Sequence, residues 1–68
     1  MGIFQERLRL VRKTKHKSQE EAAKHLDMSY RSYRRYESGE TEPNLSTLIK
    51  LADYFDVSLD YLTGRTDE

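Results

Sequence analysis

The chain contains no cysteine, which excludes a disulfide staple and any thiolate metal site. Its two histidines, His16 and His25, stand nine positions apart with no further ligand types beside them, so no metal and no cofactor is expected. No apolar run approaches the roughly 18 residues of a membrane span. The N-terminus lacks a basic flank leading into an apolar stretch and is not read as a signal peptide. A reducing cytoplasm is the expected setting. Asn44-Leu45-Ser46 forms a glycosylation sequon, which without a secretory signal is read as chance. There is no glycine-rich phosphate loop, no histidine placed beside an acid and no metal set, so an enzyme is not expected. No segment alternates with period two for long enough to form a strand.

The chain also lacks net charge: 12 basic residues balance 12 acidic ones. Their distribution is uneven. Residues 1–36 hold ten Lys/Arg and four acids, a balance of +6, and residues 37–68 hold two and eight, a balance of −6. Such a polar molecule can turn a basic face to phosphates and keep an acidic face outside. With 68 residues the expectation is one domain over 1–68. A chain this short buries only about 60% of its unfolded surface.

What is present is helical periodicity. The spacing predicts a helix over 3–13, with Ile3, Phe4, Leu8, Val11 and Leu10 on its apolar face. After a polar linker, Ser18-Gln19-Glu20-Glu21 has the form of a capping box, in which serine and glutamate satisfy each other's backbone N–H groups. It opens a helix over 19–26 with Ala22, Ala23 and Leu26 inward. Asp27-Met28-Ser29 is a turn; Asp27 suits a left-handed backbone, and Ser29 caps a helix over 30–37. Gly39 stops that helix, and Glu40 to Pro43 is an exposed loop. Asn44 caps a helix over 45–55 with Leu45, Leu48, Ile49, Leu51, Ala52 and Phe55 apolar. Ser58 caps a last helix over 59–63, which Gly64 ends. The four residues after Gly64 are expected to fray. The fold class is all-α, a compact five-helix bundle.

Residues 18–39 read as two helices crossing through a tight turn, a helix-turn-helix. Ala23 supplies the small side chain that such a crossing needs. Tyr33 and Tyr36, three apart, share the inner face of the second helix, with their hydroxyls expected at the rim. Tyr30, Arg31, Arg34 and Arg35 then face outward. Three arginines with no acid at helical spacing inside Tyr30–Tyr36 call for an anionic partner. An arginine fork pairs bidentately with guanine N7 and O6 in the DNA major groove. Tyr30 is placed to touch a thymine methyl or a phosphate. Gln19 heads the first helix of the pair, where N–H groups attract phosphate, and Lys15, Lys17 and Arg9 are further phosphate candidates.

These residues resemble the lambdoid phage repressor and Cro family of helix-turn-helix domains, also called XRE-like. The resemblance is carried by Arg12, Ser18 to Ala23, Met28-Ser29, Tyr36 to Gly39, Pro43, Leu48, Leu51-Ala52 and Val57 to Gly64, and it covers roughly residues 3–64. It implies a lambda-repressor-like domain whose 30–37 helix enters the major groove. By resemblance Tyr30, Arg31, Ser32, Arg34 and Arg35 contact bases. Gln19, Ser29, Ser38 and Lys17 are assigned to phosphates. Arg12 and Glu37 are implied to form a structural, partly buried ion pair. Val57, Leu59 and Tyr61 are the implied dimer surface; plain core packing is the other reading of Leu59. The chain departs from the family at Asp27, where glycine is usual, at Lys17, usually apolar, and at Glu40-Thr41-Glu42, where Glu40 opposes phosphate.

The function these readings imply is sequence-specific binding of double-stranded DNA by a small transcriptional repressor, acting as a homodimer on a palindromic operator. The alternative is a protein-interaction module, such as an antitoxin whose acidic half binds a partner protein, since one fold serves many functions.

Overall fold

In the computed structural model, residues 2–67 are described. Five helices follow one another: α1 (Ile3–Thr14), α2 (Gln19–His25), α3 (Tyr30–Ser38), α4 (Leu45–Phe55) and α5 (Leu59–Thr63). No residue among those described is in a strand.

Side-chain caps start four of them. Ser18 Oγ accepts from the Glu21 N–H at 3.0 Å while a Glu21 carboxylate oxygen accepts from the Ser18 N–H at 2.8 Å. Hydrogen bonding from the Ser18 backbone holds the Glu21 carboxyl below its ordinary range. Ser29, Asn44 and Ser58 accept from Ser32, Thr47 and Tyr61 in the same manner. Each satisfies an N–H that has no partner inside its helix. Left-handed residues stop the helices: Gly39 at φ 85°, Gly64 at φ 86° and Asp56 at φ 56°. Asp27 turns the chain between α2 and α3 at φ 57°. His16 takes φ 59° after α1, a left-handed stop at a residue whose type gives no signal for it.

The core is Leu8, Val11, Ala22, Ala23, Leu26, Tyr33, Leu51, Ala52, Phe55 and Leu62. Ala23, 2% exposed, lies in the α2–α3 pair, and its carbonyl accepts from the Met28 N–H at 3.0 Å. A larger side chain there would hold the two helices apart.

Three expectations are corrected. Ile3 and Leu10 on α1, and Leu45 and Ile49 on α4, are exposed. Each helix covers the small core with a narrower stripe than its apolar residues suggest. The Tyr33 hydroxyl does not reach the rim: the residue is fully buried and donates to Glu37. Residues 65–67 are tied down, residue 68 lying outside the described residues. Arg7 donates to the carbonyls of Tyr61 and Thr66, meets Asp67 at 3.3 Å and lies 4.4 Å over the Tyr61 ring.

Candidate nucleic-acid interface

The site is built on one buried acid. Glu37, 2% exposed, lies on α3 and accepts four hydrogen bonds from three helices. Arg12 of α1 approaches as a fork, Nε at 2.7 Å from Oε2 and Nη2 at 3.2 Å from Oε1. Gln19 of α2 donates from Nε2 at 3.0 Å, and the Tyr33 hydroxyl donates one turn away on α3. Burial alone would push the Glu37 carboxyl up; the hydrogen bonds from Arg12, Tyr33 and Gln19 outweigh it and hold the group below its ordinary value. The bond to Glu37 raises the Arg12 guanidinium, against the effect of burial. Burial first, and the bond to Glu37 second, push the Tyr33 phenol up. Arg12 Nη1 also donates to the Lys17 carbonyl at 2.9 Å, so one guanidinium joins α1, α3 and the linker into α2.

This network fixes what α3 presents. Tyr30, Arg31, Ser32, Arg34 and Arg35 are all exposed. Arg31 and Arg35 are one turn apart on the same stripe, and Arg31 makes no ion pair among the described residues. The Arg34 guanidinium sits 5.8 Å from the Tyr30 ring centre. The Tyr30 hydroxyl donates to Gln19 Oε1 at 3.3 Å. Gln19 is therefore held at both ends of its amide, oxygen toward Tyr30 and nitrogen toward Glu37, and one of its two amide hydrogens remains for an outside acceptor.

The remaining predicted contacts differ in how they are placed. A shallow cleft between α1, α2 and α3 is lined by Arg9, Gln19, Arg34, Glu37 and Ser38. It brings two predicted phosphate residues, Gln19 and Ser38, beside two cations. Ser29 and Ser32 hydroxyls bond each other at 2.9 Å within the α3 cap. Lys17 is exposed on the linker, away from that cleft's lining. Ser38 Oγ faces the Arg35 carbonyl at 3.2 Å and Glu40 Oε2 at 3.1 Å. Arg35 Nε lies 3.7 Å from Glu40 Oε1.

Sequence reasoning missed several of these roles. Arg9 donates to the Glu37 carbonyl at 2.8 Å, satisfying a carbonyl in the last turn of α3. Tyr33 and Glu37 are four apart on α3, a spacing that places them on one face and could have signalled their bond. Nothing local signals that Gln19 reaches the same acid.

Away from this face, Val57 and Tyr61, both half-buried, line a groove whose other wall holds Leu10 and Val11. Its volume is about 600 Å³. Leu59, the third predicted dimer residue, packs against the core and does not line it. No group of histidines and acids among the described residues could hold a metal ion, and none of their helices is long and apolar enough to cross a membrane.

The helix-turn-helix family pattern matches residues 8–62, which include α2, α3 and their flanking supports. The cryptic phage CTXphi transcriptional repressor RstR of Vibrio cholerae is 44% identical over 67 residues, covering 96% of this chain and 60% of that protein. An uncharacterized HTH-type transcriptional regulator of Bacillus subtilis, YqaE, is 42% identical over 67 residues, covering 97% of this chain and 58% of the relative. The SPbeta prophage-derived uncharacterized HTH-type transcriptional regulator YonR, also of Bacillus subtilis, is 42% identical over 64 residues, 94% of this chain and 59% of its own. The chain thus spans about three-fifths of the length of these curated relatives. No solved structure matches it.

Proposed function

The chain belongs to the helix-turn-helix family of the phage-repressor, XRE-like type, and on that premise we propose that it binds double-stranded DNA sequence-specifically as a transcriptional repressor, in the cytoplasm of a bacterium. The single observation that carries this reading is the exposed face of α3. Tyr30, Arg31, Arg34 and Arg35 stand outward on a helix that Glu37 ties to α1 and α2. A rigid helix bearing arginine forks is the form that enters a major groove and reads guanine. Arg31 and Arg35 are assigned to bases, with Tyr30, Ser32 and Arg34 beside them. Gln19 and Ser38, with Arg9 at the same cleft, are assigned to phosphates, as are Ser29 and Lys17. No catalytic step is assigned to the chain.

A lone domain of this size offers few base contacts, and a second copy would supply the rest. The reading therefore includes a homodimer on a palindromic operator with half-sites about 34 Å apart. The groove of Val57, Tyr61 and Leu10 is the surface assigned to the partner copy.

Selection of bound sequences from random duplex DNA tests the reading. One enriched, two-fold symmetric site is expected, and the affinity for it falls steeply with salt. Arg35→Ala then relaxes preference at one base position by about 1–3 kcal/mol, whereas Gln19→Ala weakens all sequences alike. Absence of any salt-sensitive retention on DNA would sink the proposal.

A further inference from the structure

The loop after the reading helix holds an acid in an unfavourable place. Carbonyls at a helix C-terminus carry partial negative charge and disfavour a carboxylate. Glu40 nevertheless follows the left-handed Gly39 directly, and its position is fixed. Its N–H and that of Thr41 both donate to the Arg35 carbonyl, at 3.0 and 3.4 Å. The carboxylate folds back onto two groups assigned to DNA. Oε1 lies 3.7 Å from Arg35 Nε, and Oε2 accepts from Ser38 Oγ at 3.1 Å. Among the described residues, the single hydroxyl hydrogen of Ser38 meets Glu40 and the Arg35 carbonyl.

Resting on the DNA-binding reading above, we infer that Glu40 sets the affinity of the reading helix for its site: it is an internal competitor that occupies Arg35 and Ser38 until a guanine and a phosphate displace it. On DNA without a guanine beneath Arg35, the guanidinium stays paired and its charge adds nothing to the attraction of phosphates. A guanine offers two acceptors in the geometry of the fork. The ion pair is exposed, with side-chain accessibilities of 43% and 60%, and such pairs are weak, so guanine wins. Opening the pair costs affinity at the guanine-bearing site, whereas on other DNA the pair need not open, so Glu40 lowers affinity for the right sequence at least as much as for the wrong one.

The test compares the wild type, Glu40→Gln, Arg35→Ala and the double variant on the selected site and on a random-sequence duplex across a salt series. Melting curves first establish that all four fold. Glu40→Gln is expected to tighten binding to the selected site about three- to fivefold, the range an exposed ion pair can withhold. It should tighten the random duplex less, about twofold or under, because there the pair need not open. The random-duplex salt slope should steepen by about one unit, as one more cation meets phosphate. In the Arg35→Ala background these gains should vanish. Persistence of the gains there would mean general repulsion and would overturn the role. Tightening of the random duplex beyond that of the selected site, or none on either, also overturns it while DNA binding stands. If none of the four proteins binds either duplex, the DNA-binding reading fails and the Glu40 role with it.

Discussion

Glu37 is the buried acid of the described residues, and the cost of its burial determines what its neighbours do. Removing one partner of a buried ion pair leaves the other charge uncompensated, at about 3–5 kcal/mol. Arg12→Ala would leave the Glu37 carboxylate with two neutral donors, Gln19 and Tyr33. For a domain of this size, that loss corresponds to a fall in Tm of more than about 10 °C, checked by circular dichroism melting at pH 7. The sign of the pH dependence follows from the native pairing. The carboxyl is held below its ordinary value in the folded state. Its contribution is therefore fully present above the unfolded value of about 4.3 and is lost as pH falls through the lower folded value. In the Arg12→Ala variant the carboxyl loses its charged partner while its burial remains, so its folded value moves up and protonation costs the variant less. The stability gap between the two proteins should accordingly narrow as pH drops from about 6 to 3. A gap that is constant over that range would show that Glu37 does not carry it.

At the scale of the helices, stops are as decisive as periodicity. Gly39 ends α3 at φ 85°, and a Cβ built there would lie 2.1 Å from Gln5 Nε2. Gln5 can swing away, although its Oε1 accepts from the Gly2 N–H at the start of α1; the left-handed backbone cannot relax. Gly39→Ala is expected to cost about 1–2 kcal/mol, and Gly39→Asn less, because asparagine tolerates this conformation better. Equal melting of all three proteins would show that the stop does not need the glycine. These stops and the serine and asparagine caps were legible because each depends on one residue and its neighbours within a turn. Thus Ser18, Ser29, Asn44, Ser58, Gly39 and Gly64 mark helix ends directly. His16 was not legible, since its left-handed turn answers to where the chain must go rather than to its own type. Ile3, Leu10, Leu45 and Ile49 misled for a related reason: helical spacing marks an apolar face, but only packing decides how much of it is covered. The outward set of α3 followed from placing Tyr33 and Tyr36 inward. The bonds from Gln19 and Arg9 to Glu37 span 18 and 28 residues, distances over which local pattern carries no information.

At the scale of the whole molecule, the split of charge gives a neutral chain a basic end, with ten of its 12 Lys/Arg in residues 1–36. One copy neutralises few phosphates, and the salt dependence of binding reports their number. The proposed dimer would double both the contacts and the slope. Leu10 is the sharpest probe of that arrangement. It belongs to the apolar pattern of α1 yet is 55% exposed, on the wall of the groove that faces Val57 and Tyr61. A charge at an exposed helix position far from caps and core changes stability by about 0.5 kcal/mol or less, but a glutamate pressed into an apolar contact between copies is desolvated without a partner. Leu10→Glu should therefore melt within a few degrees of the wild type. It should sediment as a monomer at concentrations where the wild type associates, and bind a full symmetric site no more tightly than a half-site, with about half the wild-type salt slope. Association and full-site preference that survive the substitution would place the contact between copies on another face.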